Sequence, residues 1–201
     1  MELRTIKTAL ISVSEKSNLT ALTAALAIRP VKLISTGGTY AAITQLGLPV
    51  TKISEVTGSP EVMGGRVKTI HPRIAGGILF RREETEDWYA LGQLGGTPID
   101  LVVVNLYPFQ EKLRQPGITD AELIENIDIG GPSLIRAAAK NHRDVVVITS
   151  PSDYQSLITH LDSFDGQTHL EYRRELAAKA FALTQAYDQA IANYFEHGIP
   201  D

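Results

Sequence analysis

Two polar segments of the sequence combine hydroxyls, glycines and a lysine in the pattern of anion-binding loops. They span residues 12–17 (SVSEKS) and 35–39 (STGGT), and each follows an apolar run and precedes a helical pattern. Backbone N–H groups at a helix N-terminus attract phosphate, and paired glycines let the backbone approach it closely. Capping by Ser14 or Ser17 explains the first segment equally well, and a tight turn explains the second. Two such loops after adjacent strands make anion binding a stronger prediction than either loop alone. Neither matches the Walker A or Gly-x-Gly-x-x-Gly pattern, so ATP and NAD are not expected.

A third segment, residues 64–72 (GGRVKTIHP), carries two cations and a hydroxyl beside two glycines. If this segment is extended, Arg66 and Lys68 point the same way, because side chains alternate along a strand. Two cations and a hydroxyl on one face suit a phosphate or a developing oxyanion. Surface lysines are common, but the flanking glycines and the absence of a periodic pattern favour a functional interpretation.

Two further segments each contain a polar side chain in a position to act on a ligand. Tyr107 follows the apolar run at residues 101–105, where it can donate a hydrogen bond into a site or pack against its neighbours. Asp128 lies between two isoleucines, an unusual place for a solvated carboxylate. It can cap a helix, or act as a general base whose pKa its surroundings set. Pro132 is expected at the first position of a helix, after two glycines that permit close approach.

The composition argues against several other classes of protein. The five histidines form no metal-spaced pair and the chain has no cysteine, so neither a metal site nor a disulfide is expected. The formal net charge of −4 argues against a nucleic-acid-binding surface. No apolar run reaches the roughly 18 residues of a membrane span, and no secretory signal precedes the first strand. These features predict a cytoplasmic protein without nucleic-acid or membrane partners.

Short β-branched runs alternate with helical patterns along the chain. The predicted strands are residues 8–13, 31–35, 50–53, 101–105 and 145–149. The last two are apolar throughout and are therefore expected to be covered on both faces. The alternation predicts an α/β fold with a mostly parallel sheet and right-handed crossovers. Ligands of such sheets bind beyond the carboxyl ends of the strands, which is where a site is expected.

Two regions depart from this alternation. Residues 58–77 are rich in glycine and proline, and they predict a long loop of a kind that is often functional. Apolar residues recur at three- or four-residue steps from Tyr172 to Tyr194, which predicts a long amphipathic helix over about residues 169–196. Its aromatic stripe is expected to pack in a core or an interface.

Four segments, in order, resemble one enzyme family. Residues 64–72, 105–109 (NLYPF), 127–132 (IDIGGP) and 136–142 (RAAAKNH) resemble the cyclohydrolase half of the bifunctional AICAR transformylase/IMP cyclohydrolase family. The resemblance extends over most of the chain. It implies a single methylglyoxal-synthase-like domain over residues 1–201, in which helices flank a five-stranded, mostly parallel sheet in three layers. It also implies a homodimer.

The resemblance further implies which residues act. The catalytic positions of the family are matched by Lys68, Tyr107, Asp128 and Lys140. Its nucleotide-phosphate region is matched by Ser12, Ser14, Lys16, Thr36, Gly37, Gly38, Thr39, Arg66 and Thr69. Backbone groups around Ile129 and Gly130 would face the base of a purine ribonucleotide. No cofactor or metal is implied.

The implied activity is the closure of 5-formamidoimidazole-4-carboxamide ribotide to inosine monophosphate with loss of water. Asp128, assisted by Lys140, is the expected base, and Lys68 and Tyr107 are the expected donors to the formyl oxygen. Asp128 can reach Lys140 only if its loop folds back along the helix between them. The transformylase domain of the bifunctional members is not matched, so folate-dependent formyl transfer is not expected.

Two rival functions use the same fold. An effector-binding module would need the phosphate loops but not Lys68, Tyr107, Asp128 and Lys140. A lyase acting on a triose phosphate, like methylglyoxal synthase, would need aspartates and histidines around the phosphate loop, where this chain has lysine and tyrosine. The residue pattern therefore favours the cyclohydrolase.

Overall fold

Parallel pairing of short apolar strands forms the centre of the fold in a computed structural model, which describes residues 2–60 and 62–199. The sheet has the strand order β4-β3-β2-β5-β6, and every neighbouring pair is parallel. Its strands are β2 (Thr8–Val13), β3 (Lys32–Ser35), β4 (Thr51–Lys52), β5 (Leu101–Asn105) and β6 (Val146–Ile148). The five-stranded parallel sheet expected from the sequence is thus confirmed. The ends of the domain predicted over residues 1–201 lie outside the described residues.

Helices cover both faces of this sheet and give the three layers that were expected. On one side α8 packs against β5 and α10, and on the other α1 contacts α9. The helices are α1 (Leu19–Ala27), α2 (Gly37–Gln45), α3 (Ile53–Thr57), α4 (Pro72–Leu79), α5 (Thr85–Gln93), α6 (Phe109–Leu113), α7 (Asp120–Glu125), α8 (Gly130–Lys140), α9 (Tyr154–Ser163) and α10 (Leu170–His197). None of the helices described is long and apolar enough to cross a membrane.

Burial follows the strand order. Val102 and Val103 in β5 and Leu10 and Ile11 in β2 are at most 1% exposed, because these central strands have a neighbour on each side and helices on both faces. A second, smaller hydrophobic core lies apart from the main one, between α6, α7 and the C-terminal half of α10. Its buried members are Phe109, Leu123, Tyr187 and Tyr194, and we call it the second core.

Two expectations from the sequence need correction, and one pair of strands was not predicted at all. The region predicted as one long loop, residues 58–77, contains a 3₁₀ turn at Met63–Gly65, and α4 begins at Pro72; Glu61 lies outside the described residues. α8 begins at Gly130, so Pro132 is its third residue rather than its first. β1 (Leu3–Thr5) and β7 (Gln167–His169) form an antiparallel pair that the sequence did not reveal, because three-residue strands carry too little periodicity.

The helix expected over about residues 169–196 is α10, and a buried arginine joins its first turn to three other segments. Arg173 is 0% exposed. Its guanidinium donates to the carbonyl oxygens of His142 (3.0 Å), Arg143 (2.8 Å) and Glu2 (3.3 Å), and to that of Thr168. These carbonyl dipoles solvate the buried charge, so Arg173 links α10 to β7, to the turn after α8 and to the segment before β1.

Replacement of Arg173 by alanine should lower the free energy of unfolding by about 3 kcal/mol, because several buried carbonyl groups lose their donor. Urea denaturation measures this change. Arg174→Ala is the matched control, since Arg174 is exposed on the same helix turn, and it should change stability by less than about 0.5 kcal/mol. A loss below about 1 kcal/mol for Arg173→Ala would contradict the role assigned to this side chain.

Candidate functional site

A cavity of about 570 Å³ opens at the carboxyl ends of β2, β3 and β5. This is where ligands of parallel α/β sheets bind. Thirteen of the residues singled out from the sequence line it: Ser12, Ser14, Lys16, Thr36, Gly38, Thr39, Arg66, Lys68, Thr69, Tyr107, Asp128, Ile129 and Gly130. The structure therefore brings the two loops predicted to bind an anion, the 64–72 segment and the segment around Asp128 to one place.

Side-chain hydrogen bonds tie the loops after β2 and β3 together. The hydroxyls of Ser12 and Thr36 lie 2.7 Å apart. The Thr39 hydroxyl accepts from the Val13 N–H (3.0 Å) and donates to the Val13 carbonyl (2.9 Å). It thus binds the backbone of Val13 in the way that a residue of a neighbouring strand would. These bonds hold the N-terminus of α2 beside the end of β2.

Two lysine ammonium groups lie close to the N-terminus of α2. A Cβ added at Gly38 would lie 3.9 Å from the Lys16 Nζ, and one added at Gly37 would lie 3.7 Å from the Lys68 Nζ. No side chain in the described part of the chain caps α2. Free N–H groups and two cations therefore meet at one end of the cavity, which is a favourable arrangement for phosphate.

Asn105, at the end of β5, organises the loop that carries Ser14 and Lys16. Its Oδ1 accepts from the Ser14 N–H (2.6 Å), the Ser14 hydroxyl (2.8 Å) and the Glu15 N–H (3.0 Å). Its Nδ2 donates to the Glu15 carbonyl (3.0 Å). Asn105 belongs to the NLYPF motif but was not predicted from the sequence to be a site residue. Its position at the end of an apolar strand was the available signal.

The 64–72 segment reaches the cavity in a conformation that differs from the expected one. Residues 66–69 form turns rather than an extended strand, so strand alternation does not orient Arg66 and Lys68, and that expectation is wrong. The Arg66 guanidinium forms an ion pair with Glu125 at the mouth of the cavity. Thr69 is 8% exposed, and a Cβ added at Gly130 would lie 2.3 Å from its Oγ1. Glycine at position 130 is therefore required for this close packing.

Asp128 combines a partly buried carboxylate with backbone donors at the start of α8. Its Oδ1 accepts from the Gly131 N–H (2.8 Å). Burial raises the pKa of Asp128 above its ordinary value, while the N–H groups of Gly131 and Gly130 and the charge on Lys68 act in the opposite direction. A Cβ at Gly131 would lie 2.3 Å from the Asp128 Oδ2, so glycine leaves room for the carboxylate. The carboxylate thus interacts with the helix end and also faces the cavity, and the two interpretations of Asp128 are compatible.

Tyr107 and Ile129 flank the mouth of the cavity and are 51% and 58% exposed. The Tyr107 ring is therefore not a packed core side chain. Its hydroxyl is available to a bound molecule. Glu125 and Asn126 also line the cavity and were not selected from the sequence, because both look like surface residues at the end of a helix.

Two residues selected from the sequence do not line the cavity. Gly37 lies just behind it at the start of α2. Lys140 is exposed at the last position of α8, whereas Asp128 lies just before the first. The length of an eleven-residue helix, about 15 Å, separates the two ends. The Asp128 loop does not fold back along α8, so the expected pairing of Asp128 with Lys140 within one chain is wrong.

The cavity has no constellation typical of a metal centre. Among the residues that the structure describes, no group of three or more histidine, cysteine or acidic side chains is arranged to hold a metal ion. The polar groups that converge on the cavity are instead lysines, hydroxyls, amides and one partly buried carboxylate. These groups are suited to anion binding and to proton transfer.

Replacement of Asp128 by asparagine should stabilise the protein at pH 7. A carboxyl whose folded-state pKa lies above its unfolded value favours folding when protonated, and this stability is lost as pH rises through the folded-state pKa. Asparagine keeps the acceptor for Gly131 and has no charge to bury. We expect Asp128→Asn to gain about 1 kcal/mol at pH 7 and progressively less towards pH 4.

Urea denaturation of both proteins between pH 4 and pH 7 measures this difference. Asp188→Asn is the control, because Asp188 is an exposed carboxylate on α10, and its stability should follow the wild type at every pH. A gain for Asp128→Asn that did not vary with pH would argue against burial as the cause of the raised pKa.

Comparisons with known proteins are consistent with this geometry. The family model of the MGS-like domain matches residues 18–133, and that of the AICARFT/IMPCHase bienzyme matches residues 138–200. The chain is 53% identical over 190 residues to the bifunctional purine biosynthesis protein PurH of Sorangium cellulosum, and 52% identical over 190 residues to PurH of Rhizobium johnstonii. These alignments cover 94% of the chain but 36% and 35% of the relatives, so the chain spans about a third of their length.

A solved structure covers nearly the same length as this chain. The crystal structure of ForH superimposes with a TM-score of 0.83 at 35% identity, and the match covers 94% of this chain and 99% of that one. The MGS-like match spans more than half of the chain and contains the strands β3, β4 and β5 and the Asp128 segment. The chain therefore belongs to the MGS-like domain family.

Proposed function

We propose that this protein is an IMP cyclohydrolase, an enzyme that closes the formamido ribotide to inosine monophosphate in purine biosynthesis. The observation that carries the proposal is the placement of Asp128. A partly buried carboxylate with a raised pKa faces the same cavity as an uncapped helix N-terminus and two lysines. The PurH relatives support a role in purine biosynthesis, and the bienzyme match over residues 138–200 supports the cyclohydrolase rather than another MGS-like activity.

The reaction requires a base and a hydrogen-bond donor to the oxyanion. Both must lie no farther from the phosphate site than the length of the substrate ribotide. The carboxamide nitrogen attacks the formyl carbon and loses one proton. The formyl oxygen becomes a hydroxyl, takes up a second proton and leaves as water. The formamido nitrogen loses its hydrogen, and the C=N double bond forms between this nitrogen and the former formyl carbon. An amide nitrogen is a poor nucleophile because its lone pair is delocalised, so deprotonation by a base is the step most in need of help.

Asp128 is placed to act as this base. Its raised pKa makes the carboxylate a stronger base than a solvated one, and the N–H groups of Gly130 and Gly131 fix its orientation. Lys68 is placed to stabilise the oxyanion on the formyl carbon, and Tyr107, with its exposed hydroxyl, to donate a second hydrogen bond. Because nucleophile and electrophile belong to one molecule, binding in the right conformation contributes much of the remaining acceleration.

The opposite end of the cavity suits the 5′-phosphate of the ribotide. Lys16, the N-terminus of α2 and the hydroxyls of Ser12 and Thr36 converge there. The substrate would therefore lie with its phosphate over α2 and its base towards Ile129 and Gly130. Arg66 can join the phosphate only by leaving Glu125, so this ion pair would open when the nucleotide binds.

The structure gives less support to a catalytic role for Lys140 than the sequence did. Its position at the far end of α8 leaves Asp128 and Lys68 as the acid–base pair of the chain's own cavity. The homodimer implied by the family resemblance stays a prediction, as does the catalytic role of Lys140.

Turnover of the formamido ribotide, followed by ultraviolet absorbance without folate or added metal, tests the proposal. We expect the wild type to form inosine monophosphate. Asp128→Ala should lose about 10²–10⁴-fold in kcat because the base is gone, and Lys68→Met about 10²–10³-fold because an oxyanion donor is gone.

Glu196→Gln is the control for loss of a carboxylate and should retain wild-type turnover, because Glu196 is exposed in the last turn of α10 and does not line the cavity. Inosine monophosphate binding by calorimetry separates the alternatives. A wild type that binds the nucleotide but turns nothing over would instead be an effector-binding module. Turnover that survives in Asp128→Ala would remove Asp128 as the base.

A further inference from the structure

The C-terminal helix contacts the Asp128 segment without lining the cavity. None of the described residues of α10 belongs to the cavity wall. Yet the hydroxyl of Tyr187, in the second half of α10, accepts a hydrogen bond of 2.8 Å from the backbone N–H of Asp128. Asp128 is thus held from two sides, with its N–H bound to α10 and its carboxylate bound to the start of α8.

The Tyr187 ring is fixed by the second core. It is 8% exposed and meets the ring of Phe109 edge-on, with centroids 6.2 Å apart. Ile127, the residue before Asp128, packs against the same core. A phenol ring held in this way has little rotational freedom, so its hydroxyl is a fixed point for the backbone at position 128.

The hydroxyl is suited to act as an acceptor. Burial raises the pKa of Tyr187, the hydrogen bond from the Asp128 N–H lowers it, and the charges of Asp128 and Asp188 raise it again. The net direction is upward from the ordinary value, so the phenol stays neutral at physiological pH. Among the charged groups of the described residues, Lys68 acts on the Asp128 carboxylate and favours its ionised form. A neutral phenol can therefore anchor the Asp128 backbone without placing a second negative charge beside the base.

We propose that Tyr187 is a positioning residue for Asp128: its hydroxyl fixes the backbone that carries the carboxylate, and through it α10 sets the geometry of the cavity. The inference rests on the proposed function for its catalytic consequence, but the anchoring itself does not depend on the reaction. The hydrogen bond between Asp128 and Tyr187 crosses the boundary between the two family matches. Asp128 falls within the MGS-like match and Tyr187 within the bienzyme match, so the segment typical of the bienzyme supplies the anchor.

A pair of tyrosine-to-phenylalanine variants tests this proposal. Tyr187→Phe removes the hydroxyl that holds Asp128. Tyr194→Phe is the matched control. Tyr194 lies on the same helix, is also a buried member of the second core, and donates its hydroxyl hydrogen to Asp120 instead. A general loss of stability in the second core would affect both variants alike, whereas loss of positioning would affect only the first.

Kinetics with the formamido ribotide form the first readout. Tyr187→Phe should lower kcat by about 10- to 100-fold, because a misplaced base is in the wrong geometry for proton transfer. Its KM should stay within about threefold of the wild type, since the phosphate end is untouched. Tyr194→Phe should keep both constants within about threefold. Equal kcat values for the two variants would overturn the proposal.

The pKa of the Asp128 carboxyl, followed by ¹³C NMR, forms a second readout that needs no turnover. Burial is the largest influence on this pKa, so a segment released from α10 should admit water and move it down towards the ordinary value. Tyr194→Phe should leave it unchanged. If the wild type does not turn over the ribotide, the proposed function falls and this titration alone decides the role of Tyr187. An unchanged Asp128 pKa in Tyr187→Phe would then refute it.

Discussion

The parallel pairing of β2 with β3 on one side and β5 on the other is the constraint on which the rest of the structure depends. In this register Ile11 lies beside Ser35 and Val13 lies beside Asn105, so the three strands end at the same edge of the sheet. The polar residues that follow each strand therefore lie close together as soon as the strands pair. Thr39 and Asn105 then join neighbouring loops by hydrogen bonds that extend the strand ladder beyond its last residue. The end of the cavity that carries Lys16 and the N-terminus of α2 is in this sense a continuation of the sheet.

The other end of the cavity depends on a different element. Asp128 is separated from the sheet by two short helices and a connecting segment, so strand register cannot place it. Its position is fixed by the N-terminus of α8 and by the second core, which joins α6, α7 and α10. Burial in this environment opposes ionisation, and the helix N–H groups and Lys68 favour it. The balance leaves a carboxylate that is ionisable but more basic than one in water, which is the property a general base requires.

The sequence predicted the sheet because apolar β-branched runs are a local signal, and it located the polar loops because they follow those runs directly. It failed where the structure depends on distant partners. Tyr187 was recognised as part of an apolar stripe, but its hydroxyl binds a backbone group 59 residues earlier in the chain. Arg173 was not singled out from the sequence, because its carbonyl partners lie in three separate segments and leave no local pattern. Lys140 could not be placed because no local pattern reveals that the Asp128 loop stays at the start of α8. The pairing with Lys140 was therefore wrong, although the helix itself was anticipated.

Charge in this protein is organised locally rather than globally. The net charge of −4 would repel an anionic nucleotide at long range, but charges separated by more than about 8 Å are largely screened at physiological ionic strength. In the cavity Lys16 and the N-terminus of α2 lie at one end and Asp128 lies at the other. Lys68 acts on both, because its Nζ lies near Gly37 and its charge acts on the Asp128 carboxylate. Glu125 forms an ion pair with Arg66 at the mouth, so Lys16, Lys68 and the N-terminus of α2 dominate the field that a bound phosphate would meet. Because one end of the cavity is cationic and the other carries a carboxylate, the cavity favours one orientation of a bound ligand. A phosphorylated ligand can satisfy both ends only when its phosphate lies over α2 and its uncharged, proton-donating part lies against Asp128.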